Sequence, residues 1–179
     1  MTIASPSVRT ARVTDAEAIG RIHVVAWQAT YAGVLPAEFL RNLSVADRQR
    51  AWRERLAQDD PRRHVLVVTA DSDVVGFACA GVCRDDDAPP RTGELWSIYL
   101  IPAHWGHGHG RRLHDETLAA LERDSYRRAT LWVLDSNARA RRFYENRGWS
   151  PDGATKAEPI GGSAPLTEIR YATRLTASR

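Results

Sequence analysis

Two periodicities of apolar residues alternate along the chain. Val8 to Val13 reads as a short strand. Thr14-Asp15-Ala16-Glu17 fits a capping box, the threonine hydroxyl and glutamate carboxylate satisfying free N–H groups at a helix start. Behind it Ile19, Ile22, Ala26 and Ala29 recur at helical spacing, with His23, Trp27 and Tyr31 as a second stripe beside them. Gly33-Val34-Leu35-Pro36 breaks that helix, and a further helical stretch runs from Pro36 to about Gln58, with Leu40, Leu43, Trp52 and Leu56 as core contacts. Two apolar runs, His64–Thr69 and Val74–Val82, joined by Ala70-Asp71-Ser72-Asp73, predict a hairpin. Arg84 to Arg91 reads as a loop. Glu94–Ile101 predicts a strand, Gly108 to about Asp124 a helix, and Arg128–Leu134 another strand. Ser136 and Asn137 supply caps for a helix to Arg147, where Gly148 is a natural stop. Gly161-Gly162-Ser163 is a flexible loop before a final strand, Leu166–Leu175.

This order predicts a single mixed α/β domain over 1–179. An antiparallel meander comes first. A strand–helix–strand unit follows, which should be parallel and right-handed. The segment that feeds this unit carries the most chemistry. Ile98-Tyr99-Leu100-Ile101 is strand-like, Pro102 ends it, and Gly106, Gly108 and Gly110 lead into a basic helix. Bare backbone N–H groups and a positive helix end suit an anion. A dinucleotide fingerprint would need glycine at position 111, which is Arg111, and the Gly-Lys-Ser/Thr ending of a Walker loop is missing.

Composition narrows the setting. Hydrophobic residues make 43% of the chain and charged ones 26%, the proportions of a soluble globular protein. No apolar run approaches the roughly 18–20 residues of a membrane span. Met1 to Arg9 shows no basic region followed by an apolar stretch, so no secretory signal is expected. Cys79 and Cys83 lie four apart in one strand-like run, too far for a disulfide, which fits a reducing cytoplasm. All but one of the 25 basic residues are arginine, but the net charge is only +3 and acidic residues are interspersed. Solvated faces account for them without nucleic acid.

A second motif completes the first. Pro102 and Trp105-Gly106-His107-Gly108-His109-Gly110 are followed by Asn137 and by Phe143-Tyr144-Glu145-Asn146-Arg147-Gly148-Trp149. This conjunction resembles the GNAT superfamily of acetyl-coenzyme A-dependent N-acetyltransferases over nearly the whole chain. That family combines Gln/Arg-x-x-Gly-x-Gly/Ala with a later Asn and Tyr-Glu-x-x-Gly-Phe/Trp. The resemblance implies the GNAT fold: a mostly antiparallel sheet with one parallel strand pair at the coenzyme site, flanked by helices. One departure stands out. Trp105 occupies the usual Gln/Arg position, so a side-chain phosphate contact is lost, for which Arg111 and Arg112 can compensate.

The resemblance also implies roles. The pyrophosphate of acetyl-CoA would lie on backbone N–H groups of Gly106, His107, Gly108, His109, Gly110 and Arg111. Ile98, Tyr99 and Leu100 would pair with the pantetheine arm, the Leu100 N–H meeting the thioester carbonyl as an oxyanion donor. Asn137 caps its helix and would also contact the arm. Tyr144 would act as general acid, since a phenol of pKa about 10 can protonate a departing thiolate of about 8.5; a buried packing role is the simpler alternative. Glu94 matches the catalytic glutamate of histone-acetylating members and is either the general base or an edge charge. Some members place that glutamate at the position of Trp132. His23, Trp27, Tyr31 and Trp96 are candidates to line the acceptor pocket, or are core packing.

The expected reaction is acetyl transfer by direct attack of a primary amine on the thioester in a ternary complex. A catalytically weak acyl-coenzyme A sensor module is the alternative. The partners are a small-molecule amine or a peptide N-terminus, without nucleic acid or membrane, and a homodimer is the common assembly. His104, His107, His109 and His114 do not match a structural zinc spacing, so no metal is expected. Asp85-Asp86-Asp87 lacks the spacing and closing glutamate of a calcium loop. Cys79 and Cys83 have no general-base motif beside them.

Overall fold

A computed structural model describes residues 7–175; residues 1–6 and 176–179, including most of the stretch read for a secretory signal, lie outside the described residues. Seven strands form one sheet in the order β1-β2-β3-β4-β5-β7-β6. They are β1 (Ser7–Thr10), β2 (Arg63–Ala70), β3 (Asp73–Val82), β4 (Thr92–Leu100), β5 (Arg128–Leu134), β6 (Ser150–Glu158) and β7 (Leu166–Arg174). The helices are α1 (Ala16–Thr30), α2 (Ala37–Arg41), α3 (Val45–Ala57), α4 (His109–Arg123) and α5 (Ala138–Glu145). All neighbouring strands are antiparallel except β4 and β5. The expected architecture, with its single parallel pair, is therefore the one observed.

Alternation along β2 and β3 splits the core into two layers. Val65, Val67, Phe77 and Cys79 pack with Ile19, Ile22 and Trp52 of α1 and α3. Leu66, Val68, Ala78 and Ala80 face Leu113, Ala120 and Leu121 of α4. Both faces of β3 are covered, which is why its sequence is a near-continuous apolar run rather than an alternating one. The β2–β3 turn places Asp71 and Ser72 at φ 47° and 74°, the left-handed geometry of a two-residue hairpin.

Four local readings need correction. Thr14 and Glu17 form no cap; Asp15 takes the work, accepting from the Arg12 N–H at 2.7 Å and pairing with the Arg9 guanidinium. The first strand stops at Thr10, because Val13–Asp15 is already a 3-10 turn. Ala29 is exposed and Val24 takes its place in the core. The stretch after Pro36 is two helices, since the Ser44 side chain accepts from the Asp47 N–H at 3.1 Å and starts α3 afresh. Strand β6 has no counterpart among the strands that the sequence predicts. Ser150-Pro151-Asp152-Gly153 looks like a turn, and the strand is nearly all exposed, so it shows no apolar alternation.

The parallel pair positions the site. β4 meets β5 only at Thr92↔Arg128, Gly93↔Ala129 and Glu94↔Thr130. Just beyond, Ser97 pairs with Cys79 and Leu95 with Ala80, which leaves Trp96 as the extra residue of a bulge. A bulge bends its strand and increases its twist. Past this point Leu95–Leu100 pairs only with β3, and a gap opens towards β5.

Candidate active site

The gap between β4 and β5 widens into a cleft of about 630 Å³. Ile98, Tyr99 and Leu100 line it from β4; Trp132, Val133 and Leu134 line it from β5. Ile101 donates its N–H to the Val75 carbonyl of β3 at 2.9 Å. Hydrogen-bonding direction alternates along a strand, so the Leu100 N–H points away from β3 and into the gap.

After β4, Pro102–His104 forms a 3-10 turn and the chain reaches α4 through Gly106 and Gly108, at φ 80° and 83°. A side chain at either position would strain this left-handed backbone. Gly108 is the N-cap, with no side chain in the way of the free N–H groups of the first turn. Trp105 explains itself here. Its indole N–H donates to the Leu100 carbonyl at 3.1 Å, and the Arg139 guanidinium stacks 3.2 Å from its ring centre. The residue that departs from the expected Gln/Arg thus ties the loop to the strand end and holds an arginine at the cleft. Arg84, Arg111, Arg139 and Arg147 all line it, a positive setting for a polyanion.

α5 supplies the opposite wall. The Asn137 side chain accepts from the Ala140 N–H at 3.1 Å and caps it. Tyr144 is buried against Phe143 and Trp149 and borders the cleft. Burial pushes its phenol up, and Tyr99 adds to the push. Tyr144 therefore keeps its proton at neutral pH, in the form that can donate a hydrogen bond, although the rise makes it a weaker acid. Trp149 is held in turn by His114, whose Nε2 accepts the indole N–H at 2.9 Å.

Most of the residues picked from sequence converge. Tyr144, Glu94, Ile98, Tyr99, Leu100, Gly106, Gly108, Gly110, Arg111, Asn137, Trp27, Tyr31 and Trp96 all line the cleft. His107 and His109 are not among the residues that line it, although the His109 ring packs edge-on against His104, which does. His23 is also elsewhere: it is packed among Trp27, Trp52, Phe77 and Tyr99, and its Nδ1 accepts the Trp52 N–H at 3.2 Å. Glu94 is only 2% exposed, and Arg84 occupies both its oxygens with three donors at 2.6, 3.0 and 3.1 Å. Cys79 sits in the α1–α3 core with its thiol pushed up by burial to about 11.

A family model of the acetyltransferase (GNAT) family matches residues 24–149, which span the cleft from α1 to the Trp149 corner. The chain belongs to the GNAT acetyltransferase family. It is therefore an acyltransferase. It is 28% identical over 137 residues to the uncharacterised N-acetyltransferase YuaI of Bacillus subtilis, with 73% of each chain covered. The fold is shared with yncA of Salmonella typhimurium, solved with acetyl-CoA, at TM-score 0.69 and 21% identity over 97% of this chain and 95% of that one. The ribosomal-protein-S18-alanine N-acetyltransferase of Escherichia coli matches at TM-score 0.67 and 18% identity, over 98% and 97%. Among the described residues of this GNAT chain, no helix is long and apolar enough to cross a membrane.

Arg84, Arg139 and Glu168 are among the GNAT cleft residues that sequence reasoning does not single out. Arg84 lies in a loop that looked merely acidic. Arg139 is one of four arginines around α5, and nothing local marks which one turns to Trp105. Glu168 enters through the β5–β7 register, where it faces Leu134. No spacing rule reveals that pairing.

Proposed function

We propose that the protein transfers the acetyl group of acetyl-CoA to a primary amine by direct attack within a ternary complex. The observation that carries this reading is the open edge of β4 beside a glycine loop with two left-handed glycines, facing Tyr144. The cleft fits the donor. The unpaired strand edge suits the amide-bearing arm, the bare amides of 106–111 suit a pyrophosphate, and the surrounding arginines suit its charge. Bound there, acetyl-CoA supplies the activated acetyl thioester.

The residues then divide the work. Ile98, Tyr99 and Leu100 hold the arm, and the Leu100 N–H stabilises negative charge on the thioester oxygen. Gly106, His107, Gly108, His109, Gly110 and Arg111 hold the pyrophosphate through their backbone, and Asn137 orients the arm beside its capping bond. Tyr144 gives its proton to the leaving sulfur. Glu94 reaches the acceptor only through a bridging water, because Arg84 takes both of its oxygens. Trp27, Tyr31 and Trp96 wall the acceptor side, with His23 packed behind them. The acceptor is a small-molecule amine or a peptide N-terminus. The free Cys79 and Cys83 support a cytoplasmic setting.

The test is thiol release from acetyl-CoA with tyramine, spermidine and alaninamide, together with mass detection of the acetylated amine. The expected result is amine-dependent thiol release. Coenzyme binding without turnover of any of these amines would support the sensor reading instead.

A further inference from the structure

The reaction needs a neutral amine, so a group on the acceptor side must accept a proton from the ammonium form. Two carboxylates line the cleft, Glu94 and Glu168. Glu94 is saturated by Arg84. Glu168 stands differently. It projects from β7, is 22% exposed at its side chain, and pairs through Oε2 with Lys156 of β6 at 3.3 Å. Among the described residues its Oε1 has no partner. Tyr31 and Tyr99 line the same cleft, and burial first, with the Glu168 charge a minor influence, pushes both phenols up. Both therefore stay protonated. Its charged surroundings are Lys156 and, two positions along β7, Arg170. Arg170 is itself engaged by Asp85, Asp87 and Asp152. Glu168 is thus the one cleft carboxylate with an open oxygen, and it lies among aromatic walls that favour a cation.

Resting on the acetyl-transfer reading above, we propose that Glu168 receives the acceptor's ammonium group and takes its proton. One N–H proton passes to Oε1. The freed lone pair forms the N–C bond to the acetyl carbon as the C–S bond breaks, and the sulfur takes the Tyr144 proton. The second nitrogen proton restores Tyr144, and Glu168 releases its proton to water. The products are the amide, the free thiol and one proton. The acceptor class that follows is an amine cationic at neutral pH whose remainder is flat or apolar enough to lie against Trp27 and Tyr31.

The experiment compares Glu168→Gln, Glu94→Gln and Lys156→Met with the unaltered protein. It uses the same three amines, and calorimetric binding of each amine to protein saturated with coenzyme A gives a readout independent of turnover. Glu168→Gln should lower kcat/KM for the amines by about 10²–10⁴-fold. It should also weaken amine binding and leave coenzyme affinity unchanged. Lys156→Met removes the same ion pair but keeps the carboxylate, so its loss should be at most about a tenth as large. Equal losses in Glu168→Gln and Lys156→Met would mean that the pair is structural and would overturn the proposal. Full activity in Glu168→Gln with loss in Glu94→Gln would return the proton to Glu94. An unaltered protein that binds coenzyme A and acetylates none of the amines would overturn the acetyl-transfer reading itself, and the assignment of Glu168 with it.

Discussion

Lowering the pH from about 7.5 to about 5 should strip stability from this fold through two indole–imidazole pairs. Trp52 donates to His23 Nδ1, and Trp149 donates to His114 Nε2. Both bonds need an unprotonated ring nitrogen, so a proton on either imidazole breaks one and leaves a buried charge. Burial first, then Arg48 and Arg55, lowers His23 from its usual 6.5 to about 4. Burial also lowers His114, against an opposing hydrogen bond to Asp115. In this window the unfolded chain binds more protons than the folded one, so stability rises with pH. The His23 contribution is complete above about 6.5, falls as the pH drops, and is gone below about 4. At about 1.4 kcal/mol per tenfold, its full size is about 3 kcal/mol, more than half of which is lost by about pH 5. His114 adds to it with the same sign.

Urea unfolding followed by far-ultraviolet circular dichroism across this range measures the slope directly. His23→Gln is the matched control, because an amide oxygen can accept the Trp52 N–H and cannot take up a proton at these pH values. It should shift stability by a roughly constant amount and flatten the dependence, leaving the His114 part. A flat profile in the unaltered protein would refute the reasoning, as would an undiminished slope in His23→Gln. The consequence reaches function. His23 stacks on Tyr99 and lies tilted against Trp27 behind the acceptor wall, and His114 supports Trp149 beside Tyr144.

Three further perturbations probe the cleft and its frame. Tyr144→Phe should lower kcat by about 10²-fold or more and leave coenzyme affinity unchanged in a calorimetric titration. Gly108→Val forces a β-branched residue to φ 83° at the N-cap of α4; coenzyme affinity should fall by about tenfold or more, with far-ultraviolet dichroism unchanged. Arg170→Ala would leave Asp85, Asp87 and Asp152 without their shared cation and loosen the loop that carries Arg84. Urea unfolding should show a loss on the order of 1–3 kcal/mol, held down because Asp87 is largely exposed and Asp152 keeps Arg128.

What the chain discloses in advance follows from how local each signal is. The run from Ile98 through Gly110 is legible because strand, proline, glycines and helix are contiguous, and each has a backbone reason to be there. The wall formed by Tyr144 and Asn137 is legible for the same reason. The splay of β4 from β5 is not, because it begins at a bulge defined by the register of Trp96 against β3. In sequence Glu94 is either a general base or an edge charge, and only the fold brings Arg84 back across it. The stripe of His23, Trp27 and Tyr31 was visible as a stripe, but a period cannot say that His23 turns to Trp52 while its neighbours turn to the cleft. Glu168 required two sheet registers, β5–β7 and β6–β7, before it had either a cleft or a partner.

The gap between β4 and β5 is the proposed seat of the acetyl donor. A crystal structure of the protein with acetyl-CoA tests it most directly. The pyrophosphate should lie on the backbone amides of 106–111, with the thioester oxygen within about 2.7–3.2 Å of the Leu100 nitrogen. The Tyr144 hydroxyl should lie on the sulfur side. A donor bound away from the open edge of β4, or a thioester facing neither Leu100 nor Tyr144, would contradict it.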